Sequence, residues 1–198
     1  MLHWSPPPDV RALIFDCDGT LADTMPVHHV AWIAMLAEHG LEFPEREFYA
    51  WAGMPTHTII RRLALEQGVP LTDDDVAAMV VDKERRYVDL IDSVGPIPEV
   101  LAIAEAWRGR MPMAVASGGE RWVIHRTLTA IGVLDWFDAI VGAEDTVRHK
   151  PEPDVFLEAA RRIDAEPAGC AVFEDSDLGL EAGRRAGMTV LDIRPWRA

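Results

Sequence analysis

Cysteine is scarce in this chain, whose 198 residues include only Cys17 and Cys170. Two cysteines cannot form the disulfide framework of a small secreted scaffold, and both lie in or beside predicted buried strands, which favours a reducing compartment. No apolar run approaches the roughly 20 residues of a membrane-spanning helix, and residues 1–8 lack the charged and apolar regions of a signal peptide. We therefore predict a cytoplasmic protein that does not bind membranes.

Basic residues are in deficit, since 19 lysines and arginines stand against 33 aspartates and glutamates, for a formal charge of -14. Proteins that bind nucleic acid or anionic membranes carry basic surfaces, so neither is an expected partner. Total charge does not decide whether a small anion binds, because local cations, helix N-termini and metal ions do. Apolar residues make up 49% of the chain, enough for a globular protein with a sizeable core.

The stretch from Val10 to Thr20 combines a short apolar run with two acids, Asp16 and Asp18, and with Gly19. Such a run is typical of a buried parallel strand, and the ligands of open α/β sheets gather at the carboxyl ends of the strands. Alternate strand residues share a face, so the two carboxylates can converge on one ion, and their mutual repulsion favours a cation. For this segment alone, an Asp-Gly turn after a core strand remains the alternative.

The segment from residue 25 to residue 94 has the spacing of helices and no convincing strand. Thr56 and Thr72 are plausible N-caps, and the predicted helices cover residues 26–38, 56–67 and about 72–92. The first of these helices is expected to present an apolar stripe made of Val30, Ile33, Ala34 and Ala37.

From Gly95 onward, short apolar strands alternate with helices of about 10 to 15 residues. The predicted strands cover residues 111–116, 139–141, 170–173 and 189–193. This alternation predicts a parallel sheet with right-handed crossovers. The fold class is therefore α/β, a doubly wound parallel sheet with a helical insert directly after its first strand.

Three further strands are followed by polar residues that suit phosphate chemistry. Ser117 and Gly118 follow the second strand, Lys150 precedes the helix after the third, and Glu174 and Asp175 follow the fourth. Each has a structural explanation of its own, namely a capping serine, a solvated lysine, and acids that stabilise a helix N-terminus. All of them nevertheless fall at strand ends that one crevice would collect. Carboxylates for a divalent cation, together with a hydroxyl, backbone donors and a lysine for an anion, indicate phosphoryl transfer.

In order and spacing these motifs resemble the haloacid dehalogenase superfamily through Asp16-x-Asp18-Gly19-Thr20, then Ser117, then Lys150 with Pro-x-Pro-Asp, then Glu174-Asp175. The motifs span almost the entire chain. The insert looks like the small helical cap of the branch that includes β-phosphoglucomutase and sugar-phosphate phosphatases, and the short chain looks most like bacterial phosphatases of fructose 1-phosphate. The resemblance implies a Rossmann-like catalytic core of residues 1–24 and 95–198 and a cap domain of residues 25–94.

The resemblance also implies roles for the residues at the strand ends. Asp16 would be the nucleophile that forms an aspartyl-phosphate, and Asp18 would protonate the leaving oxygen and then activate water. Lys150, Ser117 and the N–H of Gly118 would hold the phosphoryl oxygens during transfer.

Mg²⁺ is the cofactor that the resemblance implies. It would bind Asp16, the backbone carbonyl of Asp18 and Asp175, with Glu174 as a direct or water-mediated ligand. The metal and Lys150 would keep Asp16 ionised, whereas Asp18 must be able to hold a proton.

Substrate choice would lie in the cap, where His28, Gly53, Thr56 and Lys83 match positions near the cap–core interface of β-phosphoglucomutase-like relatives. His28 is equally well explained as a polar residue on an amphipathic helix, and a solvated helix face explains Lys83 better, because it lies in a charged run. Thr56 stands where the mutase has an arginine that grips a second phosphate. Loss of such a clamp favours hydrolysis over a mutase reaction.

The predicted function is thus Mg²⁺-dependent hydrolysis of a small phosphate monoester, first of all a sugar phosphate, by a monomer. The alternatives are β-phosphoglucomutase-type phosphoryl transfer and a non-catalytic, phosphorylatable receiver-like module, although receivers lack a helical insert of this size. A dehalogenase has no use for Asp18. A cysteine-based phosphatase would need an arginine six residues after Cys17, where Asp23 stands.

Overall fold

A five-stranded parallel sheet forms the centre of the computed structural model, which describes residues 4–197. Its strands lie in the order β3-β2-β1-β4-β5. Phe15, the last residue of β1, is level with Val115 of β2 and Phe173 of β4, so the central strands end along one edge. The strands are β1 (Ala12–Phe15), β2 (Met113–Ala116), β3 (Ala139–Val141), β4 (Cys170–Glu174) and β5 (Thr189–Asp192).

Helices cover both faces of this sheet. Alternate residues of β1 point to opposite sides, so Leu13 and Phe15 join one apolar cluster while Ala12 and Ile14 join another. The first cluster includes residues of α5 (Pro98–Trp107) and α6 (Arg121–Ala130), and the second includes residues of α7 (Asp154–Arg162) and α8 (Asp177–Arg185). The predicted doubly wound α/β fold is therefore confirmed.

Between β1 and α5 the described chain forms helices and no named strand. These helices bury an apolar cluster of their own, in which Trp32, Phe43 and Phe48 make edge-to-face contacts. None of the helices within residues 4–197 is both long and apolar enough to cross a membrane. The four α-helices of this segment are α1 (Met25–Glu38), α2 (Glu45–Ala50), α3 (Thr56–Gln67) and α4 (Asp73–Asp89).

The apolar stripe predicted for α1 is wrong, because Val30 and Ile33 are 56% and 45% exposed and Ala34 and Ala37 are exposed as well. The helix is apolar on nearly every side, so its spacing does not decide which face is buried. Size and aromatic packing decide it instead, since the buried face consists of Met25, His28, Ala31, Trp32, Met35 and Leu36.

The two threonine caps have different outcomes. Thr72 precedes α4 and exchanges side-chain and backbone hydrogen bonds with Asp75 in a capping box, as predicted. Thr56 is not a cap, because it is the first residue of α3 and the cap position is Pro55. Its hydroxyl instead donates to a buried carboxylate in α4, at Glu84.

Candidate active site

Lys150 lies at the centre of the carboxyl edge of the sheet. Its ammonium Nζ donates to Asp16 Oδ1 at 2.7 Å and to Glu174 Oε1 at 2.6 Å. A third contact, at 3.4 Å, reaches the carbonyl of Ala116 at the end of β2. All three charged side chains are buried. Burial lowers the pKa of Lys150, but the attraction of Asp16 and Glu174 outweighs it and raises that pKa above its ordinary value.

Three carboxylates at this edge can hold a metal ion. Asp16, Glu174 and Asp175 each offer an oxygen, and these oxygens lie within 4.8 Å of one another. Thr20 donates to Asp175 Oδ1 at 3.2 Å and so helps to orient that carboxylate. A set of clustered carboxylate oxygens is what Mg²⁺ binds, so the residues fit the predicted cofactor.

The pKa shifts of these acids also favour a bound cation. Burial raises the pKa of Asp16 well above its ordinary value, and it outweighs the attraction of Lys150. Burial and the charge of Glu174 raise the pKa of Asp175 to about 7. Lys150 thus offsets only part of the effect of burial on Asp16. A divalent ion among the carboxylates would lower both pKa values.

Glu174 is held in place by the start of α8. Its Oε2 accepts hydrogen bonds from the backbone N–H of Ser176 at 2.6 Å and from the hydroxyl of Ser176 at 3.0 Å. The same hydroxyl caps α8 by accepting from the N–H of Gly179. A Cβ atom at Gly179 would overlap the Glu174 carboxylate, so glycine is required there. This support leaves Glu174 Oε1 directed at Lys150.

Asp18 accepts hydrogen bonds from three side chains instead of joining the cluster of three carboxylates. Ser117 contacts Oδ2 at 3.2 Å, while Thr24 at 2.8 Å and His28 at 3.1 Å contact Oδ1. Burial alone would raise the pKa of Asp18, but His28, Thr24 and the charge of Lys83 hold it below its ordinary range. These contacts favour the carboxylate, whereas the sequence predicted a group that holds a proton.

The cap contributes a buried chain of polar side chains behind His28. Lys83 Nζ lies 3.0 Å from His28 Nδ1 and donates to both oxygens of Glu84, at 3.0 and 3.2 Å. Since an ammonium can only donate, Nδ1 of His28 accepts, and the proton of the neutral ring lies on Nε2, where it points to Asp18. Lys83 is only 4% exposed, so the solvated-face interpretation is wrong.

Sequence reasoning missed three residues of this arrangement. Thr24 sits at the N-cap position of α1, and that position was its only signal. Tyr87 stacks on His28, with ring centroids 3.9 Å apart, and Glu84 binds both Lys83 and Thr56. Tyr87 shares a helix face with the apolar residues Val76 and Met79, so helical spacing could have indicated its burial, whereas the charge of Glu84 disguised that of its own position.

All of the predicted site residues except Lys150 line a single cavity, and Lys150 contacts Asp16, which is one of the lining residues. The structure thus brings together residues from seven separate segments of the chain, including the one with Lys150. The predicted residues that line the cavity are Asp16, Asp18, His28, Gly53, Thr56, Lys83, Ser117, Gly118, Glu174 and Asp175.

The family model of haloacid dehalogenase-like hydrolases matches residues 10–187, which include all of these side chains. The chain belongs to this family. It is 38% identical to the fructose-1-phosphate phosphatase YqaB of Escherichia coli (strain K12) over 182 residues, which cover 92% of this chain and 95% of that protein. The predicted family and the prediction that the chain is a hydrolytic enzyme are confirmed.

Solved structures show the same fold. CbbY from Rhodobacter sphaeroides in complex with phosphate is 27% identical, with a TM-score of 0.82 over 91% of this chain and 84% of that one. β-Phosphoglucomutase from Clostridium difficile has a TM-score of 0.85 at 24% identity, over 92% and 84% of the two chains. At that identity the likeness to the mutase concerns the fold alone.

In this haloacid dehalogenase-like hydrolase the helical segment touches the sheet edge through two glycines. The carbonyl of Gly53 occupies the space that a Cβ atom on Gly118 would need. Gly53 itself has a φ of +88°, which other residues rarely adopt, and a Cβ there would lie 3.3 Å from Lys150 and Ser176. The two backbones therefore meet at the wall of the cavity that the acids also line.

Proposed function

We propose that the chain is a Mg²⁺-dependent phosphatase that hydrolyses a small phosphate monoester, first of all a sugar phosphate, through an aspartyl-phosphate. The observation that carries the proposal is the contact of Lys150 with Asp16 and Glu174, beside an Asp18 that is bonded to Ser117. The relationship to a fructose-1-phosphate phosphatase that the chain matches over 92% of its length supports a sugar phosphate.

In the first half of the proposed reaction, a carboxylate oxygen of Asp16 attacks phosphorus and the ester P–O bond breaks. Asp18 gives its proton to the departing oxygen, so the alcohol leaves neutral. A phosphate dianion beside Asp18 raises the pKa of that carboxyl, which offsets the opposing contacts of His28 and Thr24. Lys150 attracts the negative charge of the phosphoryl oxygens.

In the second half, Asp18 acts as a carboxylate. It takes a proton from a water molecule whose oxygen attacks the phosphorus of the aspartyl-phosphate, and the bond from phosphorus to Asp16 breaks. Inorganic phosphate leaves, and Asp18 is again protonated for the next cycle. The hydroxyl of Ser117 and the N–H of Gly118 would hold phosphoryl oxygens in both halves, and both residues line the cavity beside Asp18.

Asp16, Glu174 and Asp175, with the backbone carbonyl of Asp18, would hold the Mg²⁺ ion. When bound, the ion supplies positive charge that reduces the repulsion between the nucleophile and the phosphate. Glu174 also anchors Lys150, so the same carboxylate orients both positive charges.

The test is phosphate release from sugar phosphates, phosphoglycolate and nucleotides, with Mg²⁺ or with EDTA, and with β-glucose 1-phosphate isomerisation measured in parallel. We expect Mg²⁺-dependent release from sugar phosphates without isomerisation. Asp16→Asn should lower kcat by about 10³-fold or more, because the nucleophile is removed. Asp9→Asn, which removes an exposed carboxylate remote from the cavity, should keep full activity. A folded, active Asp16→Asn protein would refute the proposal.

A further inference from the structure

Glu84 is a buried carboxylate on the cap side of the cavity. It is 2% exposed and lines the cavity together with Thr56. Its Oε1 accepts from Thr56 at 2.7 Å and from Lys83 at 3.0 Å, whereas Oε2 accepts only from Lys83, at 3.2 Å, within the described chain. A carboxylate oxygen can accept two hydrogen bonds. Oε2 therefore retains the capacity to accept one more hydrogen bond, and Glu84 is a lining residue of the cavity.

Lys83 offers no free donor to a ligand. Its ammonium has three acceptors within hydrogen-bond distance, the two oxygens of Glu84 and His28 Nδ1, which match its three N–H groups in number. The charge of Glu84 also balances the charge of Lys83. Among the residues that line the cavity in the described part of the chain there is no arginine, and Lys83 is the one lysine.

The rest of the cap wall is largely apolar. Trp32, Phe48, Trp51 and Ile59 line it, and they can pack against the C–H groups of a carbon chain. A second anionic group of a substrate would meet these side chains and the Glu84 carboxylate. Burial of an unpaired charge next to a like charge is costly, whereas a hydroxyl can donate to Glu84.

We propose that Glu84, oriented by Thr56, determines the specificity of the site by accepting a hydroxyl of the substrate and by rejecting a second anionic group. The substrate class is then a polyhydroxylated compound whose one charged group is the phosphate ester that is hydrolysed. This inference rests on the proposed phosphatase function, and it adds the residue that distinguishes monophosphates from bisphosphates.

The experiment compares fructose 1-phosphate with fructose 1,6-bisphosphate, which share the ester at carbon 1. The wild-type enzyme should have a kcat/KM for the monophosphate at least about tenfold higher than for the bisphosphate. Glu84→Gln keeps the shape but removes the negative charge, and it should reduce this ratio about tenfold or more. Glu84→Asp keeps the charge and should keep most of the discrimination. Asp89→Asn, an exposed acid at the end of α4, is the control and should leave the ratio unchanged.

A purely structural role for Glu84 gives a different result. Misplacement of His28 or Asp18 in Glu84→Gln would slow both substrates to the same extent and leave the ratio unchanged, which would overturn the inference. If Glu84→Gln does not fold, a wild-type enzyme that accepts both substrates equally would overturn it as well. An enzyme that hydrolyses no phosphate ester at all would instead refute the proposed function itself.

Discussion

The two walls of the cavity balance charge in different ways. On the sheet side, Lys150 is the one buried cation within residues 4–197 that contacts Asp16 and Glu174, and Asp175 lies beside them. On the cap side, Glu84 and Lys83 neutralise each other, and Lys83 also contacts His28 Nδ1. The sheet side thus carries more negative than positive charge, whereas the cap side carries no net charge. The difference fits the proposed metal ion on the sheet side and the proposed contact of an uncharged substrate group on the cap side.

Replacement of the sheet-side cation should produce the largest effect. In Lys150→Met the carboxylates of Asp16 and Glu174 lose their shared partner. We expect kcat to fall by about 10²- to 10³-fold, as for the loss of a donor to the transition state. Unfolding in urea without metal should show a loss of about 3–5 kcal/mol, because buried charges lose their partner. Similar activity in Lys150→Met and wild type would contradict the assignment.

The pH dependence of the free energy of unfolding should report on the carboxylates of the sheet side. The pKa of Asp175 rises from an ordinary value of 3.8 to about 7 on folding. The folded state thus binds this proton more tightly, and the stability it contributes is complete below pH about 4 and is lost as pH rises through about 7. In EDTA, the free energy of unfolding should fall by up to about 4 kcal/mol between these values.

Two controls test the origin of that slope. Mg²⁺ should reduce it, because the ion replaces the proton among the carboxylates. Asp175→Asn in EDTA should reduce it, since one of the two carboxyls with a raised pKa is gone. If the slope of Asp175→Asn equals that of wild type, another group is responsible.

On the cap side, Lys83→Met should have a smaller effect on activity. Loss of the ammonium removes the donor that holds the proton of His28 on Nε2, so the hydrogen bond to Asp18 weakens. We expect kcat to fall by about 10- to 100-fold, a typical range for loss of an orienting contact. The acid limb of the plot of kcat against pH should move to higher pH. An unchanged pH profile would show that Lys83 does not act through His28.

The smallest effect on activity is expected from removal of a hydrogen bond that joins the cap to the core. Tyr87 in α4 and Thr127 in α6 share a buried hydrogen bond of 2.8 Å between their hydroxyls. Tyr87→Phe should cost about 1–2 kcal/mol in the free energy of unfolding. Because the ring can still stack on His28, kcat should stay within about twofold of wild type, whereas a large loss of kcat would show that the bond also aligns the site.

The sheet side could be predicted from the sequence because each of its groups follows a short apolar strand. Strand ends in a parallel sheet share one edge, so the positions of Asp16, Ser117 and Glu174 along the chain imply their proximity. The direction in which a carboxylate points could not be predicted. Asp18 turns to Thr24 and His28, and Asp175 turns to Thr20, because of contacts that only the folded backbone creates.

The cap side was less predictable, since its polar residues are buried by tertiary contacts. In α4, Lys83 and Glu84 lie in a charged run that is typical of a solvated helix, yet both are buried because they neutralise each other against α1 and α3. The Thr56 hydroxyl joins them instead of capping α3. A pattern of charges along one helix does not specify its partners on other helices.

The contact between Gly53 and Gly118 limits the substitutions that this enzyme can accept at either position. A side chain at position 118 would have to displace the backbone of the opposite wall. Even one added methyl group there would hold the two walls apart and admit solvent to the acids. The space available to a substrate is thus governed partly by two residues that have no side chain.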